Sequence, residues 1–169
     1  MTKRWLRYLA LALTGAAAAC GPIHPTDAEL LRRFSAHRAE FARLVAMSDT
    51  DAHVIRIAPD FTRLDTNWGW PRPDSLLGIS HARWDEYREL FRSTGLTAGL
   101  QRDSVDGGTV VIFTASTQGI VGSGSAKGYA YSRHPLTPVY PSLDSFRKES
   151  VHGYAFRSIA RGWYLEYDW

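Results

Sequence analysis

Apolar positions recur along this chain with two periods, and the change from one to the other divides the predicted fold. Leu30, Phe34, His37, Phe41, Leu44 and Ser48 follow at three- and four-residue steps, with Leu31 and Val45 widening the stripe. Arg32, Arg33, Glu40 and Arg43 occupy the other sides. This spacing predicts an amphipathic helix from about Asp27 to Met47, opened by a capping box of Thr26 and Glu29. Ser48 to Asp51 stop it. A second helix, His81 to Thr94, follows the cap Ser80 and carries Trp84, Tyr87 and Phe91 on one face beside Leu90. Gly95 and then apolar Leu96 match a Schellman ending, in which a left-handed glycine closes the last turn. Between the helices, Val54 and Ile55 favour a short strand within His53 to Ile57. From Ala58 to Gly78 Pro59, Pro71 and Pro73 erase any period, which predicts a long loop of the kind that often carries function.

From Thr97 the period becomes two. Ala98 to Ser104 and Thr109 to Ser116 flank Asp106 and Gly107, a strong hairpin turn pair. Val110 to Phe113 is a continuous apolar run, which suggests a central strand covered on both faces. Ile120 and Val121, then Lys127 to Ser132, read as a third strand interrupted by Gly122 to Ser125. His134 to Pro141 is a proline-rich loop, and Ser142 to Lys148 suggests a helical turn. Tyr154 to Ala160 and Trp163 to Trp169 flank Arg161 and Gly162. A two-residue loop there would set Phe156 against Tyr167 and Arg157 against Glu166, one face aromatic and the other ion-paired. The expected fold is α+β: two amphipathic helices followed by an antiparallel meander of about five strands, helices packed on one face.

The remaining apolar stretch lies ahead of the first helix. Lys3, Arg4 and Arg7 are followed by twelve uncharged residues, Tyr8 to Ala19. That run is too short to span a hydrocarbon core, which takes about 20 apolar residues, and it has the form of an export signal. Cys20, the sole cysteine, follows Ala17, Ala18 and Ala19. The junction resembles the bacterial lipoprotein signal, although that pattern prefers Leu where Ala17 stands, and cleavage after an Ala-x-Ala triplet fits the same residues. The resemblance implies a diacylglyceryl group on Cys20, and Gly21 in place of an inner-membrane-retention aspartate implies the outer membrane, facing the periplasm. The organisation expected is a signal peptide over 1–19, a lipidated cysteine and tether over 20–25, and one domain over 26–169.

This division changes the meaning of the charge. The full chain has 20 basic and 17 acidic side chains, but three of the basic ones fall in the leader and none of the acidic ones does. The exported part is therefore balanced at 17 of each, and no nucleic-acid partner is implied. One cysteine permits neither an internal disulfide nor a cysteine metal cluster, and the six scattered histidines show no metal-ligand spacing. No metal or cofactor is expected.

Candidate chemistry is sparse. The glycine-rich stretch Gly119 to Gly128 has the wrong spacing for a P-loop or a dinucleotide fingerprint. Ser123, Ser125 and Lys127 remain as an anion-site candidate built on a backbone nest. Trp68, Trp70 and Arg72 in the long loop could meet a sugar or a protein partner, or tuck into a core groove. Ser145 and Lys148 satisfy Ser-x-x-Lys without the companion motifs that give it meaning. His134 and His152 flank the proline-rich loop and could meet in space.

Ile79 to Phe91, Lys127 to Tyr131 and Gly162 to Tyr167 together resemble a family of small proteobacterial lipoproteins with no assigned activity. That resemblance implies location and carries over no catalytic residue. The expected function is a non-enzymatic envelope module that binds an envelope protein or peptidoglycan from a membrane tether. The alternatives are an envelope hydrolase built from dispersed residues such as Asp60, Asp65, Lys127 and His134, and an inhibitor that presents the Trp68 to Pro73 loop.

Overall fold

The computed structural model describes residues 24–64, 78–105, 107–119, 124–146 and 152–169. Cys20, Asp65, Trp68, Trp70, Arg72, Ser123 and Lys148 lie outside the described residues. Helices α1 (Asp27–Ala36) and α2 (Arg38–Thr50) come first, followed by the short strands β1 (Arg56–Ile57) and β2 (Thr62–Arg63) and by helix α3 (His81–Thr94). Strands β3 (Gly99–Val105), β4 (Gly108–Gln118), β5 (Ser125–Ser132), β6 (Tyr154–Ala160) and β7 (Trp163–Asp168) complete the order. Among the described residues these seven strands join one antiparallel sheet, ordered β2-β1-β3-β4-β5-β7-β6. The chain is therefore α+β, with two departures from the expected meander. A two-strand ribbon enters the sheet before α3, and β7 lies inside β6.

The long first helix is broken at His37, whose backbone (φ −122°, ψ 30°) leaves the helical region. Its N–H still reaches the Arg33 and Phe34 carbonyls, and its imidazole meets Glu40 Oε1 at 3.2 Å. The break lets both sides of the bend serve one aromatic cluster. Phe34 and Phe41 lie 5.3 Å apart and both pack on Trp163, at 5.0 and 5.7 Å, while Phe41 sits 4.6 Å from Tyr129. Helical side chains from α1, α2 and α3 form one core with Val111, Phe113, Ala115, Tyr129 and Leu165. Those strand residues share one face of the sheet, because alternate residues of a strand point the same way.

Helix α3 forms where its pattern places it. Ser80 accepts from the Arg83 amide, and Gly95 adopts φ 67° so that Leu96 N–H bonds the Phe91 carbonyl at 2.9 Å. Gly95→Ala is expected to lower stability by about 1 kcal/mol, the left-handed penalty of a Cβ, seen as a lower urea midpoint with unchanged slope. A larger shift would show that the Arg33 guanidinium, which packs over this glycine, cannot move aside.

The last hairpin departs from the expected register. Ala160 does face Trp163 across the loop, but the register shifts between Ser158 and Ala160, leaving Ile159 as an extra residue. Beyond that bulge Phe156 faces Glu166, Arg157 faces Leu165 and Tyr154 faces Asp168. A bulge re-aims every side chain that follows it. Trp163, Leu165 and Tyr167 stay with the helices, whereas Phe156 and Tyr154 join Val110, Ile112 and Ala130 on the opposite face. That second face is closed by Leu136, and the 138–140 stretch bonds the outer edge of β6 through Phe156 N–H to Pro138 and Tyr140 N–H to Phe156. No helical turn forms over 142–146.

Candidate functional site

Along β5, Lys127, Tyr129 and Tyr131 alternate toward the helices. Tyr129 and Tyr131 meet aromatic rings, but Lys127 lies past the end of that cluster, under the first turn of α1. Its side chain is 4% exposed and that of Asp27 is 3% exposed. The Lys127 ammonium bonds Asp144 Oδ1 at 2.6 Å and stands 2.9 Å from Asp27 Oδ1. The other Asp27 oxygen accepts from the Leu143 amide and from Arg157 Nη1, both at 2.8 Å, and from the Ser142 hydroxyl at 3.3 Å. Asp144 returns the contact by accepting the Asp27 backbone N–H at 3.0 Å, where a helix N-terminus favours an anion. Two cations and two carboxylates thus join α1, β5, β6 and the 142–144 turn. Burial pushes the Asp27 carboxyl up, but the bonds from Lys127, Leu143 and Arg157 outweigh it and hold the group below its ordinary value.

Above this cluster opens a cleft of about 240 Å³ lined by His24, Thr26, Lys127, Leu143, Asp144, Phe146 and Tyr167. His24 is held on both nitrogens, Nδ1 to Ser116 Oγ at 3.1 Å and Nε2 to Ser125 Oγ at 2.8 Å. Its ring meets Tyr167 edge-on at 5.6 Å. The cleft offers a half-exposed carboxylate, an imidazole and aromatic edges, a surface suited to hydrogen bonding and stacking. Lys127 supplies no free cation, because two carboxylates already take its charge.

The sequence candidates are thereby separated. Ser125 and Lys127 do come together at one end of β5, with the serine bound to His24 and the lysine to acids rather than aimed at an anion. His134 lies past the other end of that strand. Ser132, two residues before it, is already about 17 Å from Lys127 along extended chain, and His134 lines a different cleft. Asp60 sits in the turn between β1 and β2. His152 precedes β6 at the Asp168 end of β7, while His134 follows β5 at the Trp163 end, so the two histidines are not brought together. The residues sequence reasoning missed are Asp27, Asp144 and Arg157. Asp27 looked like part of a helix cap and Arg157 like a cross-strand partner of Glu166.

Glu166 itself is 1% exposed on the second face, and its Oε2 has no hydrogen-bond partner among the described residues. It stands between Gly128 and Phe156, neither of which offers it a polar side chain. At Gly128 a Cβ would come within 2.1 Å of the Phe113 carbonyl. Desolvation, with Asp168 beside it, raises the Glu166 pKa well above its ordinary value. Burial likewise raises Asp168, and raises Tyr154 to about 12. The His, Cys, Asp and Glu side chains among the described residues form no group of three able to hold a metal ion.

Compared with family models, with curated proteins and with solved structures, the chain matches none of them.

Proposed function

We propose that this chain is a lipoprotein of the bacterial envelope, anchored through Cys20, whose domain is a non-enzymatic binding module for an envelope protein or peptidoglycan. The observation that carries the reading is the position of His24. Cys20 precedes it by four residues, a reach of at most about 14 Å, and His24 is pinned to Ser116 and Ser125. A lipid on Cys20 would hold the His24–Lys127 cleft and the C-terminal end of β4 toward the bilayer. Two acyl chains suffice for stable attachment, at about 0.8 kcal/mol for each buried methylene. The balanced charge of the exported part fits a domain whose attachment depends on lipid rather than on a basic surface.

Mass spectrometry of the mature N-terminus is expected to find a diacylated Cys20, and Cys20→Ser is expected to leave the membrane fraction. Since lipidation consumes the sole thiol, a cysteine introduced at Gln118 or at Arg133 can be labelled alone. A fluorophore at Gln118 is expected to be quenched by spin-labelled lipid far more than one at Arg133. An unmodified Cys20, or membrane retention of Cys20→Ser, would sink the reading.

One contact favours a second reading, an envelope hydrolase. Ser125 Oγ lies 2.8 Å from His24 Nε2, the distance of a base-activated hydroxyl. The other imidazole nitrogen meets the Ser116 hydroxyl, at the position where a catalytic triad places its carboxylate. Labelling by a fluorophosphonate, abolished in Ser125→Ala, would establish this reading, and absence of labelling would remove it.

A further inference from the structure

A second cleft, of about 190 Å³, opens at the far end of the sheet, past the C-terminus of β5. Asp49 from the last turn of α2, Arg102 from β3, Thr109 from β4, and Tyr131, Arg133 and His134 from the end of β5 line it. Its two guanidiniums are held in place from behind. Arg102 uses one nitrogen, Nη1, on the Ser48 carbonyl at 3.0 Å, the Ser48 hydroxyl at 2.8 Å and Asp49 Oδ1 at 3.4 Å. Arg133 Nη2 donates to Asp49 Oδ2 at 2.8 Å. A guanidinium carries five N–H donors. Nε and Nη2 of Arg102, and Nε and Nη1 of Arg133, have no acceptor among the described residues, and none is a buried orphan. The lining therefore holds two fixed cations against one carboxylate, with spare donors.

We propose that this cleft binds a phosphate group. The excess charge calls for an anion, and guanidinium forks match its oxygens in pairs. The choice of phosphate over carboxylate rests on direction. Donors reach the cleft from β3, from β4 through the Thr109 hydroxyl, and from the end of β5 through Arg133 and the His134 ring. A tetrahedral group with three terminal oxygens can meet donors from several sides, whereas a planar carboxylate meets one fork. The cavity is smaller than the roughly 300 Å³ at which whole-ligand pockets begin, so it takes the phosphate and leaves the rest of the molecule outside. Asp49 and the C-terminal carbonyls of α2 oppose the anion, which keeps the binding weak and salt-sensitive.

Isothermal titration of the full chain in detergent with inorganic phosphate, at constant ionic strength, tests this. Saturable binding in the millimolar range is expected. Arg133→Gln is expected to weaken it about tenfold, the loss of one hydrogen bond between charged groups. The Arg133 side chain is 72% exposed, so this variant leaves the fold intact. Arg92→Gln, an exposed arginine at the end of α3, is the control and is expected to change nothing. Glycerol phosphate and phosphatidic acid vesicles, compared at equal phosphate, tell a solute from a lipid headgroup as the source. Absence of saturation, equal effects of the two arginine variants, or acetate binding as tightly as phosphate would each overturn the proposal.

Discussion

Asp27→Asn is expected to destabilise the domain by about 3–5 kcal/mol, the usual consequence of removing one partner from a buried ion pair. The expectation rests on what the carboxylate does in place. It faces the Lys127 ammonium, accepts from the Arg157 guanidinium and from the Leu143 amide, and is almost wholly withdrawn from water. An amide keeps the shape and loses the charge. Lys127 is then left with Asp144, whose side chain is 40% exposed. In a domain of this size the loss lowers the melting temperature by about 2–4 °C per kcal/mol. Lys127→Met is expected to be similarly damaging. The double variant should cost clearly less than the sum of the two, because neither charge is then stranded. Urea denaturation of the four proteins checks the cycle, and additive losses would mean that the two groups stabilise the fold independently.

Glu166→Gln is expected to do the opposite, raising stability at neutral pH by an amount that vanishes in acid. The carboxyl is buried without a hydrogen-bond partner for Oε2 among the described residues, and its folded pKa lies well above its ordinary value of 4.5. A group of this kind holds its proton more tightly in the folded state. Its contribution is intact below the unfolded pKa and is lost as pH rises toward the folded one. Within that window one proton separates the two states, and stability falls by about 1.4 kcal/mol per pH unit. Glutamine cannot ionise, so the advantage of the variant should be near zero at pH 4 and grow as pH rises. Asp27 has the reverse sign, since its lowered pKa gives stability that is lost as pH falls through the folded value. Denaturation midpoints of wild type and Glu166→Gln across this range settle the matter. A gap that does not change with pH would show that Glu166 has the same pKa in the folded and unfolded states.

Much of the fold was legible from local pattern. Helix α3 runs from His81 to Thr94 between a serine cap and a left-handed glycine, because capping and the 3.6-residue period act within a few residues of one another. β3 pairs with β4 with Val105 facing Gly108, and the 161–162 turn joins β6 to β7, since turn chemistry is equally local. Beyond these turns local reasoning fails. The stripe through His37 reads as one helix because a 3.6-residue period does not reveal where the backbone bends. The bend serves the packing of Phe34 and Phe41 on Trp163, more than a hundred residues away.

The last hairpin shows the same limit at the candidate site. Its hydrophobic alternation and its opposite charges both favoured a register pairing Arg157 with Glu166, yet Ile159 bulges out and the two part to opposite faces of the sheet. Arg157 then reaches Asp27, 130 residues earlier. A bulge has no compulsory residue type, and its position is decided by what the re-aimed side chains meet.

By itself the sequence determined the α+β class, the 161–162 turn, the caps of the second predicted helix and the even charge of residues 20–169, all consequences of nearest-neighbour chemistry and composition. The tertiary structure alone decided that Asp27 and Lys127 are buried together against Asp144 and Arg157, that His24 is bonded to Ser125, and that Glu166 Oε2 has no hydrogen-bond partner among the described residues. Each of those depends on contacts between distant segments, and the energy of a buried charge is set by the groups that surround it once the chain has closed.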